Sequence, residues 1–240
     1  MRREGEARSL VSLCDVFGSG LRAFLGKLGV FVPDGTPMTP DTLSEVLRES
    51  ARIKIRLAEE QSGAILDVIE SVVSALGRGN SIFFFGNGGS AADSQHLAAE
   101  LVGRFTLERR PLPALALTTD TSILTSIGND YGFDQIFIRQ IRALGRSGDV
   151  AIGLSTSGNS ANVLAAIDAA RARGLFTVAL TGESGGKLAG CANVCLRVPS
   201  TNTARIQESH ITLGHLICQG VDEALADGRI PTETGTGSGE

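Results

Sequence analysis

The sequence predicts an α/β fold: a parallel sheet of five strands with helices on its faces. Two observations carry that. Five short apolar runs, at residues 82–85, 114–117, 149–154, 176–181 and 193–198, read as buried strands. Between most of them lie longer stretches with apolar residues at helical spacing, at 90–103, 132–144 and 158–173, and a shorter one near 121–127. Strands that alternate with helices imply crossover connections, and hence a parallel sheet covered on both sides.

The composition agrees. The chain has 240 residues, 42% hydrophobic and 20% charged, enough apolar material for one decorated domain. A net charge of -4, no Trp and a single Tyr argue against a nucleic-acid surface or a base-stacking platform. No uninterrupted apolar stretch is long enough to span a membrane, and the N-terminus lacks the apolar core of a secretory signal. Cys14, Cys191, Cys195 and Cys218 follow neither a zinc-ribbon nor a disulfide spacing, and they read as idle thiols in a reducing compartment. The expectation is a cytoplasmic protein.

Taken in order, residues 1–40 read as an extension, helical or disordered, that ends in a linker marked by Pro33, Pro37 and Pro40. A helix is expected to open at Thr39-Pro40-Asp41 and run to about Glu60. A second follows from Ser62 and stops at Gly77-Arg78-Gly79-Asn80. The alternating strands and helices come next, and a last helix spans about 202–226. The main domain is set at 41–228, and the Gly/Thr/Ser-rich residues 229–240 at the end should be disordered.

In an open parallel sheet, ligands bind at the carboxyl ends of the strands. Three segments there are chemically loaded: Gly86-Asn87-Gly88-Gly89-Ser90; residues 118–134, with Asn129 and Asp130; and Ser155-Thr156-Ser157-Gly158-Asn159-Ser160. The last joins hydroxyls to a helix start, which suits a phosphate monoester. It is not a P-loop, since no Gly-Lys-Ser/Thr follows. The spacing Gly86-x-Gly88-Gly89 does not fit the dinucleotide fingerprint either.

His96 and Glu100 stand one turn apart on the helix after the glycine turn, as a metal-ligand or acid/base pair would. The only other histidines, His210 and His215, lie with Gln207 on the last helix. Gln207 and His215 are roughly 80° apart around that helix, so His210 competes with His215 as their partner. A His/Glu/Gln/His set suits Zn²⁺.

The stretches FFFGNGGSAADSQHLAAEL, IGNDYGFD, LSTSGNS and ARIQESHITLGH resemble those of the phosphoheptose isomerases, which are built on the sugar-isomerase (SIS) fold. The resemblance covers about residues 41–226. It implies a flavodoxin-like three-layer sandwich, assembled as a homotetramer with sites between subunits. It implies one Zn²⁺ per subunit on His96, Glu100, Gln207 and His215. Substrate contacts are implied at Asn87, Gly88, Gly89, Glu100, Asn129, Asp130, Ser155, Thr156, Ser157, Ser160 and Gln207. The implied reaction converts sedoheptulose 7-phosphate to D-glycero-D-manno-heptose 7-phosphate through an enediol(ate), the first step towards heptose precursors. Glu100 is the implied base and His215 the implied acid.

The alternative is a non-catalytic SIS-domain protein that binds a replication initiator or another partner. Glu100 and His215 argue against it, because that branch resembles the enzymes but lacks the acid and metal residues. A sugar-phosphate-sensing transcription regulator would need a DNA-binding domain, and residues 1–40 are too short and too nearly neutral for one.

Overall fold

A computed structural model of the chain describes residues 39–232, so most of the expected N-terminal extension and the end of the expected tail lie outside the described residues. The chain divides between Arg48 and Glu49 into two units. The described part of the first is the opening of helix α1 (Pro40–Gly77). There the Thr39 hydroxyl accepts a hydrogen bond from the Thr42 amide at 3.2 Å, and Pro40 fills the first helical position.

The second unit holds a five-stranded sheet in the order β2-β1-β3-β4-β5, with every neighbouring pair parallel. The strands are β1 (Ile82–Gly86), β2 (Ala114–Ala116), β3 (Val150–Ser155), β4 (Phe176–Thr181) and β5 (Val194–Arg197). Five helices follow α1: α2 (Gly89–Val102), α3 (Thr121–Tyr131), α4 (Ile136–Leu144), α5 (Ala161–Ala172) and α6 (Thr203–Ala226).

The period-two alternation of a strand sorts its side chains onto two cores. Ile82, Phe84, Ile152, Leu154, Val178 and Leu180 face one side, against α1, α2 and α6. Phe83, Phe85, Ala151 and Ala179 face the other, against α4, α5 and Ile127 of α3. From β1 the chain moves out to β2 at one edge, then returns across β1 to build β3, β4 and β5 on the other side. The winding therefore reverses between β1 and β3, and a crevice opens there at their carboxyl ends. The 86–90 and 155–160 segments border that crevice.

Three expectations need correction. Helix α1 runs unbroken through the stop expected near residues 60–62. Gly63 has open space around it, Ser62 bonds back to the Ala58 carbonyl, and Gln61 exchanges hydrogen bonds with the backbone of Arg197. The apolar positions Leu57, Ile65, Val68 and Val72 keep the face continuous across the weak point, so burial overrides propensity. Helix α3 extends a turn beyond its expected end, which puts Asn129 and Asp130 on a helix rather than in a loop; it stops where Gly132 takes a φ of 91°. Finally, residues 229–232 do not begin a loose tail. Ile230 is fully buried and its amide bonds the Ala224 carbonyl at 3.0 Å.

Candidate active site

The 155–160 loop is ordered by its own short-range bonds and by three from the 182–188 segment: the Gly182 amide donates to the Thr156 carbonyl at 3.0 Å, the Leu188 amide to the Gly158 carbonyl at 3.1 Å and the Lys187 amide to Asn159 Oδ1 at 3.1 Å. The Gly158 amide donates to the Ser155 carbonyl at 3.0 Å, and the Asn159 amide to the Ser157 hydroxyl at 3.2 Å. The Ser155 and Ser160 hydroxyls sit 2.9 Å apart at the mouth of α5. Ser160 makes no side-chain cap, so the first amides of α5 stay available to an anion. Thr156 and Ser157 line a cleft of about 570 Å³ together with Gly182, Ser184, Thr201 and Thr203. Asn87 on the facing turn is anchored: its amide group exchanges reciprocal 2.9 Å hydrogen bonds with that of Asn162 on α5. The pair ties the β1 turn to the phosphate-type loop.

Helices α2 and α6 run side by side on one face of the sheet, and glycines let them approach. A Cβ on Gly89 would stand 2.5 Å from the Gln207 amide nitrogen, and one on Gly214 would stand 2.3 Å from Leu97. Gly89 and His96 are seven residues apart, close to two turns, so they share a face of α2. That face brings His96 and Glu100 to His215. The His96 and His215 Nε2 atoms are 3.0 Å apart, and His96 Nε2 is 3.2 Å from Glu100 Oε1. All three ligand atoms lie within 4.8 Å of one another. Gln207 packs against Gly89 at the start of α2.

This geometry fits a metal. Donors at about 2.1 Å from a tetrahedral ion are roughly 3.4 Å apart, near the spacing seen here. The single proton of a neutral imidazole cannot serve two neighbours at once, whereas one cation satisfies both imidazoles and the carboxylate. Nearby groups do not compete. Cys218 is held as a thiol, its pKa pushed up to about 12 by burial and by the Glu100 carboxylate. His210, the rival to His215, is fully buried and outside this group; its Nε2 lies 3.2 Å from the Thr181 carbonyl, and burial lowers its pKa to about 4.

Asn129 and Asp130 are exposed and bonded to each other, Asn129 Nδ2 donating to Asp130 Oδ1 at 2.8 Å. Helix α3 packs on the sheet face opposite α2 and α6, so the fold does not bring this pair to the His/Glu/His group. Sequence reasoning passed over Asp93, one turn before His96. Its Oδ2 is buried without a partner, and burial raises its pKa against the opposing effect of His96. The i, i+3 spacing to His96 was the available signal.

A family model described as SIS domain matches residues 46–182. The phosphoheptose isomerase of Aquifex aeolicus is 54% identical over 187 residues, which is 78% of this chain and 98% of that protein. The chain belongs to the phosphoheptose isomerase family. Solved structures of two phosphoheptose isomerases agree. That from Neisseria gonorrhoeae superposes with a TM-score of 0.72 at 47% identity, covering 76% of this chain and 98% of its own. That from Francisella tularensis gives 0.74 at 40% identity, covering 78% and 100%. Membership of this isomerase family disfavours the partner-binding alternative, and the paired Glu100 and His215 agree. Among the described residues no helix is long and apolar enough to cross a membrane.

Proposed function

We propose that this isomerase interconverts sedoheptulose 7-phosphate and D-glycero-D-manno-heptose 7-phosphate by proton transfer between C1 and C2. The observation that carries the mechanism is the meeting of His96, Glu100 and His215, beside a hydroxyl-lined strand-end crevice, in a member of this family. The phosphate sits against Ser155, Thr156, Ser157 and Ser160 and the first amides of α5. Its binding energy orients the distant reacting carbons. Gly88, with open space where a Cβ would stand, lets the sugar pass close to the backbone, and Gln207, seated against Gly89, contacts it from α6.

Glu100 removes the C1 proton of the open-chain ketose, and a proton returns at C2. His215 supplies the proton that O2 takes up as the enediol forms, and the O1 hydroxyl gives up its proton as the aldose carbonyl appears at C1. The donor set of His96, Glu100, His215 and, from one side, Gln207 would hold one Zn²⁺ per subunit, which polarises a carbonyl oxygen and favours negative charge there. A phosphorylated sugar is retained by membranes, so the enzyme works in the cytoplasm, where its substrate is.

Asn129 and Asp130 reach substrate from a neighbouring copy, in a homotetramer with sites between subunits. Two features support this assembly: the position of α3 on the far face, and an apolar groove of about 300 Å³ between α1 and α6 lined by Leu57, Ile65, Leu66, Leu213 and Leu216. The test is direct. Purified protein given sedoheptulose 7-phosphate should form the aldose, and a chelator should stop it. Aldose formation that proceeds unchanged with chelator would remove the metal from the reading, and no aldose at all would remove the reaction.

A further inference from the structure

The geometry points to Arg109 and Phe105 as positioning residues for the isomerisation, held by a buried seat on Asp222; this rests on Glu100 and His215 being the reacting groups. The Arg109 and Asp222 side chains are 4% and 6% exposed and joined by an Arg109 Nε to Asp222 Oδ1 bond of 3.1 Å. The guanidinium then turns to the end of α2. Its Nη2 donates to the carbonyl of Glu100 itself at 2.8 Å, and its Nη1 to that of Leu101 at 2.8 Å. These are terminal helix carbonyls without partners further along the helix, though that of Leu101 also accepts the Leu112 amide at 3.1 Å, and a cation there complements the helix dipole.

The other oxygen of Asp222 fixes the segment that follows α2. Oδ2 accepts from the Thr106 amide at 2.9 Å, the Thr106 hydroxyl at 3.0 Å and the Leu107 amide at 2.8 Å. Phe105, the residue before, is thereby placed with its ring 5.5 Å from that of His215, whose other neighbour is His96 at 5.2 Å. One carboxylate on α6 thus controls the backbone that carries Glu100 and the ring that backs His215. Burial alone would raise the Asp222 carboxyl, but the amides of Leu107 and Thr106 and the Arg109 guanidinium hold it below the usual carboxylate range. A buried ion pair is seldom the cheapest way to stabilise a fold. Here it joins the two helices that supply the acid and the base.

The test uses the zinc-loaded full chain and four variants: Arg109→Lys, Phe105→Leu, Phe105→Tyr and Glu100→Gln. Lysine keeps the charge opposite Asp222 but cannot reach both carbonyls and the carboxylate together. Asp222 retains three other donors, so the fold has a reason to persist. The expected result for Arg109→Lys is a kcat lower by about 10- to 100-fold with KM for sedoheptulose 7-phosphate within about twofold, and weaker zinc retention against a competing chelator. Phe105→Leu should lower kcat and Phe105→Tyr should restore it; these two carry the test should Arg109→Lys fail to fold. A folded Arg109→Lys, or Phe105→Leu in its place, with wild-type kcat and zinc retention overturns the inference, as does a loss confined to KM. Glu100→Gln separates the two levels. If it turns over normally, the assignment of Glu100 falls; if it is inactive while the positioning variants are normal, only the positioning inference falls.

Discussion

The two halves of the site are built in opposite ways. The 155–160 loop is built close to home: Ser155 meets Ser160 five positions on, Asn159 bonds Ser157 two positions back, and further bonds come from Gly182, Lys187 and Leu188, just after the neighbouring strand β4. The His/Glu/His group is non-local: His96 and His215 are 119 residues apart and meet only because α2 and α6 pack closely. On the proposed reading, the phosphate grip depends less on the packing of α2 against α6 than proton transfer does. Reacting groups displaced by about 1 Å can cost two orders of magnitude in rate. Changes in the loop should appear in binding, and changes between the helices in turnover.

The sharpest separation should come from Glu100→Gln. It should lower kcat by about 10²- to 10⁴-fold while sugar phosphate still binds, as measured by steady-state kinetics and by titration. Next, Ser155→Ala combined with Ser157→Ala removes donors to a charged group, each worth about 1.5–3 kcal/mol, so KM should rise tenfold or more with kcat little changed. If kcat falls instead, the loop does more than grip. Gly214→Val attacks the helix contact, since its Cβ would start 2.3 Å from Leu97. Overpacking of this kind costs about 1–3 kcal/mol in denaturant unfolding, and zinc retention should drop while binding of inorganic phosphate holds.

The smallest effect concerns His210, which ties α6 to the end of β4 through the Thr181 carbonyl. Burial takes its pKa from 6.5 to about 4 in the folded chain, so between those values the unfolded chain binds more protons. Its contribution to stability is whole above about 6.5 and declines as pH falls towards about 4. Melting temperatures measured across that window should fall for the native chain and fall less for His210→Gln. Equal slopes would mean that His210 does not titrate with unfolding.

The same contrast explains what could be read from the sequence. The sheet was legible because its strands are continuous buried runs; the expected 176–181 is β4 as observed, and the other strands shift by a residue or so. The phosphate-type loop was legible because its parts are neighbours in the chain. The His/Glu/His group was half legible: the His96 and Glu100 spacing shows on one helix, but the choice between His215 and His210 depends on which face of α6 meets α2. Gly89 and Gly214 decide that by letting Gln207 and Leu97 in. The Arg109–Asp222 pair was not legible at all, being two charged residues 113 positions apart with no periodic pattern between them. Around Gln61 and Gly63, local propensity pointed to a break that the buried face of α1 does not allow.

On the proposed reading, α2 and α6 assemble one metal-dependent proton-transfer centre per chain. Zinc titration of chelator-stripped protein, followed by turnover of sedoheptulose 7-phosphate, tests it most directly. Activity should start near zero, rise with added Zn²⁺ and level off at about one ion per chain. Full turnover by the stripped protein, unchanged by added zinc, would contradict it.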